Sequence, residues 1–350
     1  MHTSESVTSL DTSVQEFLKL VDENESFLVV SHTYPDGDAV GSTLAMGLLL
    51  EKLGKKVTFY NQHPLPFNFG FLPAADRWVN ELTEAQKDID VTVILDCAQL
   101  HRIGDDLETR GVLGKKIAVV DHHKTWDSDF AEVYVRDVSA AATGEVIYRI
   151  LVASTAELDL EIAKCLYCCV LTDTGSFRYS STSPTTFQIA GELLKVGINP
   201  WDMTSQIYES QPVEKMKLLG KSLSTLNVSD SGNLASIRLE RQMFRDVLGP
   251  DFESMDFTSF TDGFINHARS IAGVEIAAQL FEEAATDEQS TPSWKISFRS
   301  RGSVNAAELA GQFGGGGNHN AAGCTILGSA DSVHAQLAEA LDRLVDAQGK

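Results

Sequence analysis

Three short runs in the first half of the chain leave no face for water. They are FLVVS at Phe27–Ser31, VTVIL at Val91–Leu95 and IAVV at Ile117–Val120, and the last two run directly into aspartate. Successive side chains of a strand point to opposite faces, so a strand that is apolar throughout must be covered on both. The segments between alternate in character. A Pro/Asp/Gly turn leads into a predicted helix from Ala39 to Leu53, closed by Gly54, and Val57–Tyr60 follows as another strand. Apolar strands alternating with helices imply an α/β fold, a doubly wound and mostly parallel sheet. Ligands of such sheets bind beyond the carboxyl ends of the strands.

The rest of the chain divides by texture. Helices are expected to dominate from Ala140 to Leu226, punctuated by Pro184, Gly197 and Pro200. Beyond them Asn233–Leu239, Val274–Leu280 and Trp294–Arg299 read as strands, a glycine cluster stands at Gly314–Gly317, and a helix is expected from Ser332 to Ala347. This predicts a catalytic domain over 1–200, a helical linker over 201–226, and a second, smaller α/β domain over 227–350 across a cleft from the first. Thr286–Pro292 is expected to be an exposed hairpin loop.

Composition narrows the function. Of 350 residues, 43% are hydrophobic and 22% charged, as in an ordinary globular protein of about two domains. No apolar run approaches the roughly 18–20 residues of a membrane span, and the opening MHTSESVTSLDTS lacks the apolar core of a signal peptide. The expectation is a cytoplasmic protein without a membrane partner. The net charge is −21, with 28 basic residues against 49 acidic ones and no basic block. Long nucleic acid is gripped through many Lys and Arg contacts to phosphates, so any nucleic acid bound here should be short, or held locally by metal ions and a few arginines. The five cysteines make no disulfide framework in a chain this long. Cys165 and Cys168 have zinc-type spacing but no second pair, and EIAKCLYCCVL reads as a buried helix.

Four segments carry metal-type ligands at strand ends or on a nearby loop. SHTYPDGDAVGS supplies His32, Asp36 and Asp38, with Gly37 expected to let the backbone bend so that both carboxylates converge. A helix-capping aspartate would explain one of these three residues. Asp96 ends the VTVIL strand and Arg102 follows in its loop; Asp121, His122 and His123 end the IAVV strand; Asp173 sits among small polar residues in VLTDTGSF. Imidazoles beside carboxylates suit Mn, Fe, Zn or Co. Four carboxylates balance two divalent cations, and such cations, about 3.5–4 Å apart, activate a water and clamp a phosphoryl group. Asp96 is the natural bridge, and Asp121 is placed to orient an imidazole. His63, His101 and His267 have no comparable context and are read as surface or structural.

PDGDAVGS, Asp96, the literal DHH at 121–123 and TDTGSF resemble, in order, the four motifs of the DHH phosphoesterase family. GQFGGGGNHNAAG, from Gly311 to Gly323, is similar to the glycine motif of the DHH-associated C-terminal domain. The resemblance implies His32, Asp36, Asp38, Asp96, His122 and Asp173 as ligands of two divalent ions, Mn2+ first, with Mg2+ or Co2+ as alternatives. It implies a catalytic group of Asp96, Asp121, His122 and His123, with His123 at the scissile phosphate or leaving oxygen. It makes Arg299 the phosphate-binding arginine, with Arg102, His123, Gly315, Gly316 and Gly317 also facing substrate. The family usually has a histidine directly after the glycines; here Asn318 stands there and His319 lies one residue on, so either can fill the role.

Within that family, by its size and domain content, the chain resembles the compact group whose members degrade very short RNAs from an end and dephosphorylate 3′-phosphoadenosine 5′-phosphate (pAp), and the resemblance implies the same activities here. A cyclic- or linear-dinucleotide phosphodiesterase on the same scaffold is the alternative, and an inactive nucleotide-binding regulator the remote one. A homodimer is the base-rate expectation for a soluble enzyme.

Overall fold

Phe27 and Val29 of β1 (Ser26–Ser31) face one hydrophobic core, and Leu28 and Val30 face another, so the strand is buried on both sides as its composition requires. The computed structural model describes residues 3–83, 88–104, 113–127, 130–254, 260–284 and 291–348. The chain divides into two compact units, Met1–Ser210 and Gln211–Lys350.

In chain order the first unit contains α1 (Thr3–Asp22), β1, α2 (Gly37–Lys52), β2 (Lys56–Tyr60), β3 (Trp78–Val79), β4 (Val91–Leu95), β5 (Lys116–Asp121) and β6 (Val133–Arg136). Then come α3 (Thr143–Ala153), α4 (Leu160–Asp173), α5 (Pro184–Lys195) and α6 (Pro200–Thr204). Its sheet runs β3-β2-β1-β4-β5-β6 and every pairing is parallel. The order reverses direction between β1 and β4, which makes a crevice at their carboxyl ends. Register sharpens this: Ser31 pairs with Leu95 and Leu95 with Val120, so His32, Asp96 and Asp121 leave the sheet from one row. Among the described residues the helices pack on one face with Val91, Val93 and Val120. The other face is closed by Cys97, Ala98, Ile103 and neighbouring loop side chains.

Helix α2 is buried from Gly37 through Leu50 and packs on α3 and α4. That closeness needs missing side chains. A Cβ at Gly41 would lie 2.6 Å from the Cys165 carbonyl oxygen and from Cys169 Sγ, and one at Gly144 would lie 2.4 Å from Cys169 Cβ. Gly37 serves the same end, contrary to the bend expected of it. It is absent from the left-handed residues, and its Cβ would meet Thr172 Oγ1 at 2.5 Å. The expected loop at Asp173 is also corrected, because α4 continues through that residue. All three cysteines of α4 are buried, as its apolar run implied.

The second unit contains α7 (Val213–Leu223), β7 (Asn227–Val228), β8 (Leu234–Leu239), α8 (Arg241–Leu248), α9 (Phe264–Arg269), β9 (Ile276–Glu282) and β10 (Ser293–Ser300). It continues with α10 (Ala306–Gly311), β11 (Gly316–Gly317), β12 (Ala321–Leu327) and α11 (Ala330–Gln348). The sheet order is β11-β12-β10-β9-β8-β7, antiparallel except for β8 with β9. Trp294, Ile296 and Phe298 pack with α10 and α11 on one face, and Ile237 and Leu239 pack with Phe244, Phe252 and Phe264 on the other. Of the expected hairpin loop Thr286–Pro292, residues 286–290 lie outside the described ones.

The glycine contacts between helices make a direct test. Gly41→Ala should destabilise the protein by about 1–3 kcal/mol, since overpacking against a carbonyl cannot be relieved by a rotamer change. Gly191→Ala, on α5 with nothing within 4 Å of its would-be Cβ, should gain about 0.5–1 kcal/mol. Urea-unfolding midpoints of the two variants should therefore move in opposite directions.

Candidate active site

The site is assembled by the ends of β1, β4 and β5 and by two helix termini. His32 leaves β1 with Nδ1 at 2.9 Å from the Thr33 carbonyl oxygen. His122, after β5, has Nδ1 at 3.1 Å from the Ala140 carbonyl oxygen. A carbonyl only accepts, so Nδ1 carries the hydrogen in both rings and Nε2 is the atom turned inward. His32 Nε2 faces Asp96 Oδ2 at 3.5 Å. His122 Nε2 faces Asp173 Oδ2 at 3.4 Å, Asp96 Oδ1 at 3.6 Å and Asp38 Oδ2 at 3.8 Å. A neutral Nε2 presents a lone pair, which carboxylate oxygens repel, so a proton or a cation must stand between them.

The carboxylates are held from behind. Asp36 is the N-cap of α2, its Oδ1 accepting from the amides of Asp38 and Ala39, both at 3.1 Å. Asp38, 1% exposed, caps a different helix. The N-cap residue of α3, Ala142, has no side-chain acceptor, and Asp38 accepts from Thr143 N at 2.7 Å and Gly144 N at 3.2 Å instead. A negative charge at the amino end of a helix is favourable in itself. Asp96, 2% exposed, accepts from the Thr143 hydroxyl at 2.9 Å. Its φ of 56° lies in the left-handed region, which costs a non-glycine residue energy and is met at functional sites. Asp121 is fully buried, and its Oδ1 meets His123 Nδ1 at 2.8 Å.

The site residues inferred for the first unit therefore come together. Ligand atoms of His32, Asp36 and Asp96 lie within 4.8 Å of one another, as do those of Asp38, His122 and Asp173, and those of Asp96, His122 and His123. The two oxygens of Asp96 face different clusters. Arg102 lies in the same region, its carbonyl accepting from Thr33 N at 2.8 Å. Thr143 and Gly144 were not inferred from sequence; a Thr-Gly pair opening a helix without its own cap was their signal.

The other inferred residues belong to the second unit. Arg299 lies on β10 opposite Ala321, just past the turn at Asn318, and its Nη1 donates to the Phe298 carbonyl at 3.0 Å. Gly315 and Gly317 permit close backbone approach, since Cβ atoms there would lie 2.1 Å from the Gly323 carbonyl oxygen and 2.5 Å from Ala322 Cα. Gly316 pairs with Gly323. Asn318 N donates to Ala321 O at 2.7 Å, and His319 Nε2 stands 3.0 Å from the Gly302 carbonyl oxygen. A polar cavity of about 210 Å³ also lies in this unit, lined by Ser236, Arg238, Asp331 and His334. It holds none of the inferred residues, and Arg238 already pairs with Asp331 at 3.2 Å and Glu240 at 3.1 Å.

Residues 26–170 match the DHH family, N-terminal domain, and residues 261–348 match the DHHA1 domain. The chain is 30% identical to the bifunctional oligoribonuclease and PAP phosphatase NrnA of Thermus thermophilus, covering 94% of this chain and 92% of that protein. This chain belongs to the DHH family. The Bacillus subtilis protein of the same name is 27% identical, over 92% of this chain and 96% of its own length. A solved exopolyphosphatase-related protein from Bacteroides fragilis superposes with a TM-score of 0.84 at 26% identity, covering 97% of this chain and 98% of that one. As a DHH-family phosphoesterase the chain is a hydrolase, and its α/β fold is the family's.

For the chain by itself, burial and the surrounding carboxylates set the titration. Burial raises Asp38, only partly offset by the charge of His122 and the Thr143 amide. Burial, then Asp38 and Asp36, raise Asp96 well above the ordinary range. Burial and then Asp38 push Asp173 up to about 7. Burial opposes the charge on His122, but Asp38, Asp96 and Asp173 outweigh it and raise the imidazole to about 9. Asp121 goes the other way: burial would raise it, yet the hydrogen bond and charge of His123 hold it low.

Asp38, Asp96, Asp173 and His122 thus bind protons more tightly folded than unfolded, and folding stability should fall as pH rises. Melting temperature in EDTA is expected to decline between about pH 5 and about pH 9, as Asp173 and then His122 lose protons, and a divalent cation should suppress the decline. A flat or rising profile in EDTA would mean that the cluster is not assembled as described.

Proposed function

We propose that this chain hydrolyses very short oligoribonucleotides from an end, and pAp to AMP and phosphate, with two divalent cations, Mn2+ first, as its cofactor. The observation that carries the reading is the pair of inward-facing Nε2 atoms among four carboxylates, each imidazole fixed by a backbone carbonyl on its other nitrogen. That is how histidine is presented to a metal. The mixed nitrogen and oxygen donors favour Mn2+ or a similar ion over an all-oxygen Mg2+ site. Two ions there would supply positive charge to the phosphate oxygens and an activated water.

On this reading His32, Asp36, Asp38, Asp96, His122 and Asp173 would hold the two ions, with Asp96 belonging to two of the ligand groups. Asp121 fixes the His123 ring and leaves its Nε2 for the scissile phosphate or leaving oxygen. Arg102, Arg299, Gly315 to Gly317 and Asn318 or His319 are assigned to substrate. The names of the Thermus and Bacillus relatives support the substrate class. The net charge of −21 favours short substrates over long nucleic acid.

The products of a 5′-labelled RNA dinucleotide, a 24-mer and pAp, followed by chromatography with Mn2+ and with EDTA, decide the matter. Rapid Mn-dependent loss of the dinucleotide and pAp is expected, with the 24-mer barely touched. Turnover of none of the three would move the assignment to a cyclic dinucleotide or another phosphoester. Asp38→Ala and His122→Ala should each lower kcat by about a hundredfold or more while remaining folded by circular dichroism. Full activity in either purified variant would remove that residue from the ligand set.

A further inference from the structure

We propose that Tyr34, backed by His63, is a stacking platform for a nucleobase of the substrate; the inference rests on the phosphoesterase reading above. Tyr34 stands between His32 and Asp36 and is 74% exposed, the most exposed large apolar side chain among the described residues. Its φ is 55°. A bulky residue at positive φ is an outlier, and asparagine or glycine would occupy the position with less strain. A large ring held in a strained turn beside the candidate ligands, exposed and outside the hydrophobic clusters of the described residues, adds nothing to the core.

The ring is presented on a fixed base. The His63 ring lies against one face of it, centroids 3.8 Å apart and tilted by 32°. His63 is pinned in turn: its amide donates to Asn61 Oδ1 at 2.9 Å, and its carbonyl accepts from Trp78 Nε1 at 3.1 Å and Asn80 Nδ2 at 2.6 Å. Asn61 is fully buried, and its Nδ2 donates to the His32 carbonyl at 2.9 Å. One buried amide side chain therefore couples the strand end that carries His32 to the support under Tyr34. With His63 against one face, the 74% exposure of the residue leaves most of the remaining ring surface to solvent. Every base has a π-face, so stacking on such a ring is tolerant of sequence, which suits an enzyme that degrades short RNAs of any composition.

The test uses Tyr34→Asn, which removes the ring but tolerates the left-handed backbone, and Tyr34→Phe, which keeps the ring. A dinucleotide bearing 2-aminopurine is titrated into each protein in Ca2+, where stacking quenches the fluorescence. Quenching is expected in the wild type and in Tyr34→Phe and should be lost in Tyr34→Asn. The KM ratio between an abasic dinucleotide analogue and the parent, measured in Mn2+, should fall about tenfold in Tyr34→Asn. Equal quenching in Tyr34→Asn, no quenching in the wild type, or an unchanged KM ratio would each overturn the platform. A wild type that quenches but hydrolyses neither compound would overturn the short-oligonucleotide reading and leave the platform standing.

Discussion

Asp38 and Asp96 are almost wholly removed from water, at 1% and 2% exposure, within a few ångströms of each other's partners. A buried carboxylate without compensation is costly enough that it protonates or finds a counter-charge. The architecture of the first unit follows from meeting that demand. The amide groups at the start of α3 reach Asp38 because α3 lies close against α2 and α4, and α3 lies close because Gly41 and Gly144 leave room for Cys169. The carboxylate of one helix thus caps another, and packing of apolar residues behind the site sets the geometry in front of it. Neutral donors stabilise negative charge without cancelling it. Four carboxylates against two imidazoles still leave a deficit that protons fill at low pH and that divalent cations are suited to fill at neutral pH.

Asp96 holds the two halves of the cluster in one frame. It leaves β4 at the row shared with His32 and Asp121, and its left-handed backbone turns the side chain between the two groups. Its oxygens face His32 on one side and His122 on the other, while the Thr143 hydroxyl fixes the carboxylate plane. A strand that continued straight would carry this carboxylate past the crevice. The local strain is sustained because β1 and β5 pair with β4 on both sides up to its last residue.

The parts of this design that were legible in the sequence are those with a local cause. Central strands β1, β4 and β5 read clearly because burial on both faces makes their interiors almost wholly apolar. Strand β6 is four residues long with two of them half-exposed, so it has no continuous apolar run to mark it. Helix α1 hid behind a polar opening, although Leu10, Val14, Phe17 and Val21 recur at helical spacing and are buried. Strand β12 hid inside the glycine motif, although Ala322, Cys324 and Ile326 alternate toward the core. Asp173 looked like a loop residue because its small polar neighbours suit a turn, yet α4 extends through it and turns only at Gly175, Ser176 and Phe177, all left-handed. The partner of the uncapped start of α3 has no local cause in the sequence, since the bond joins residues 105 apart and depends on three helices packing first.

Charge then bears on what the site can accept. Many of the chain's cations are already committed to its own carboxylates, as in Lys52 with Asp159, Lys115 with Asp90 and Arg149 with Asp137. With 49 acidic residues against 28 basic ones, a phosphate chain laid over such a surface meets repulsion at most of its length. Repulsion is screened beyond a Debye length of about 10 Å at 0.1 M salt. A nucleotide or dinucleotide spans little more than that distance and is governed by the charges it touches, whereas each further phosphate of a long strand adds a new encounter with acidic surface. On the proposed reading, local attraction at a cation-loaded cluster would favour short substrates over long ones.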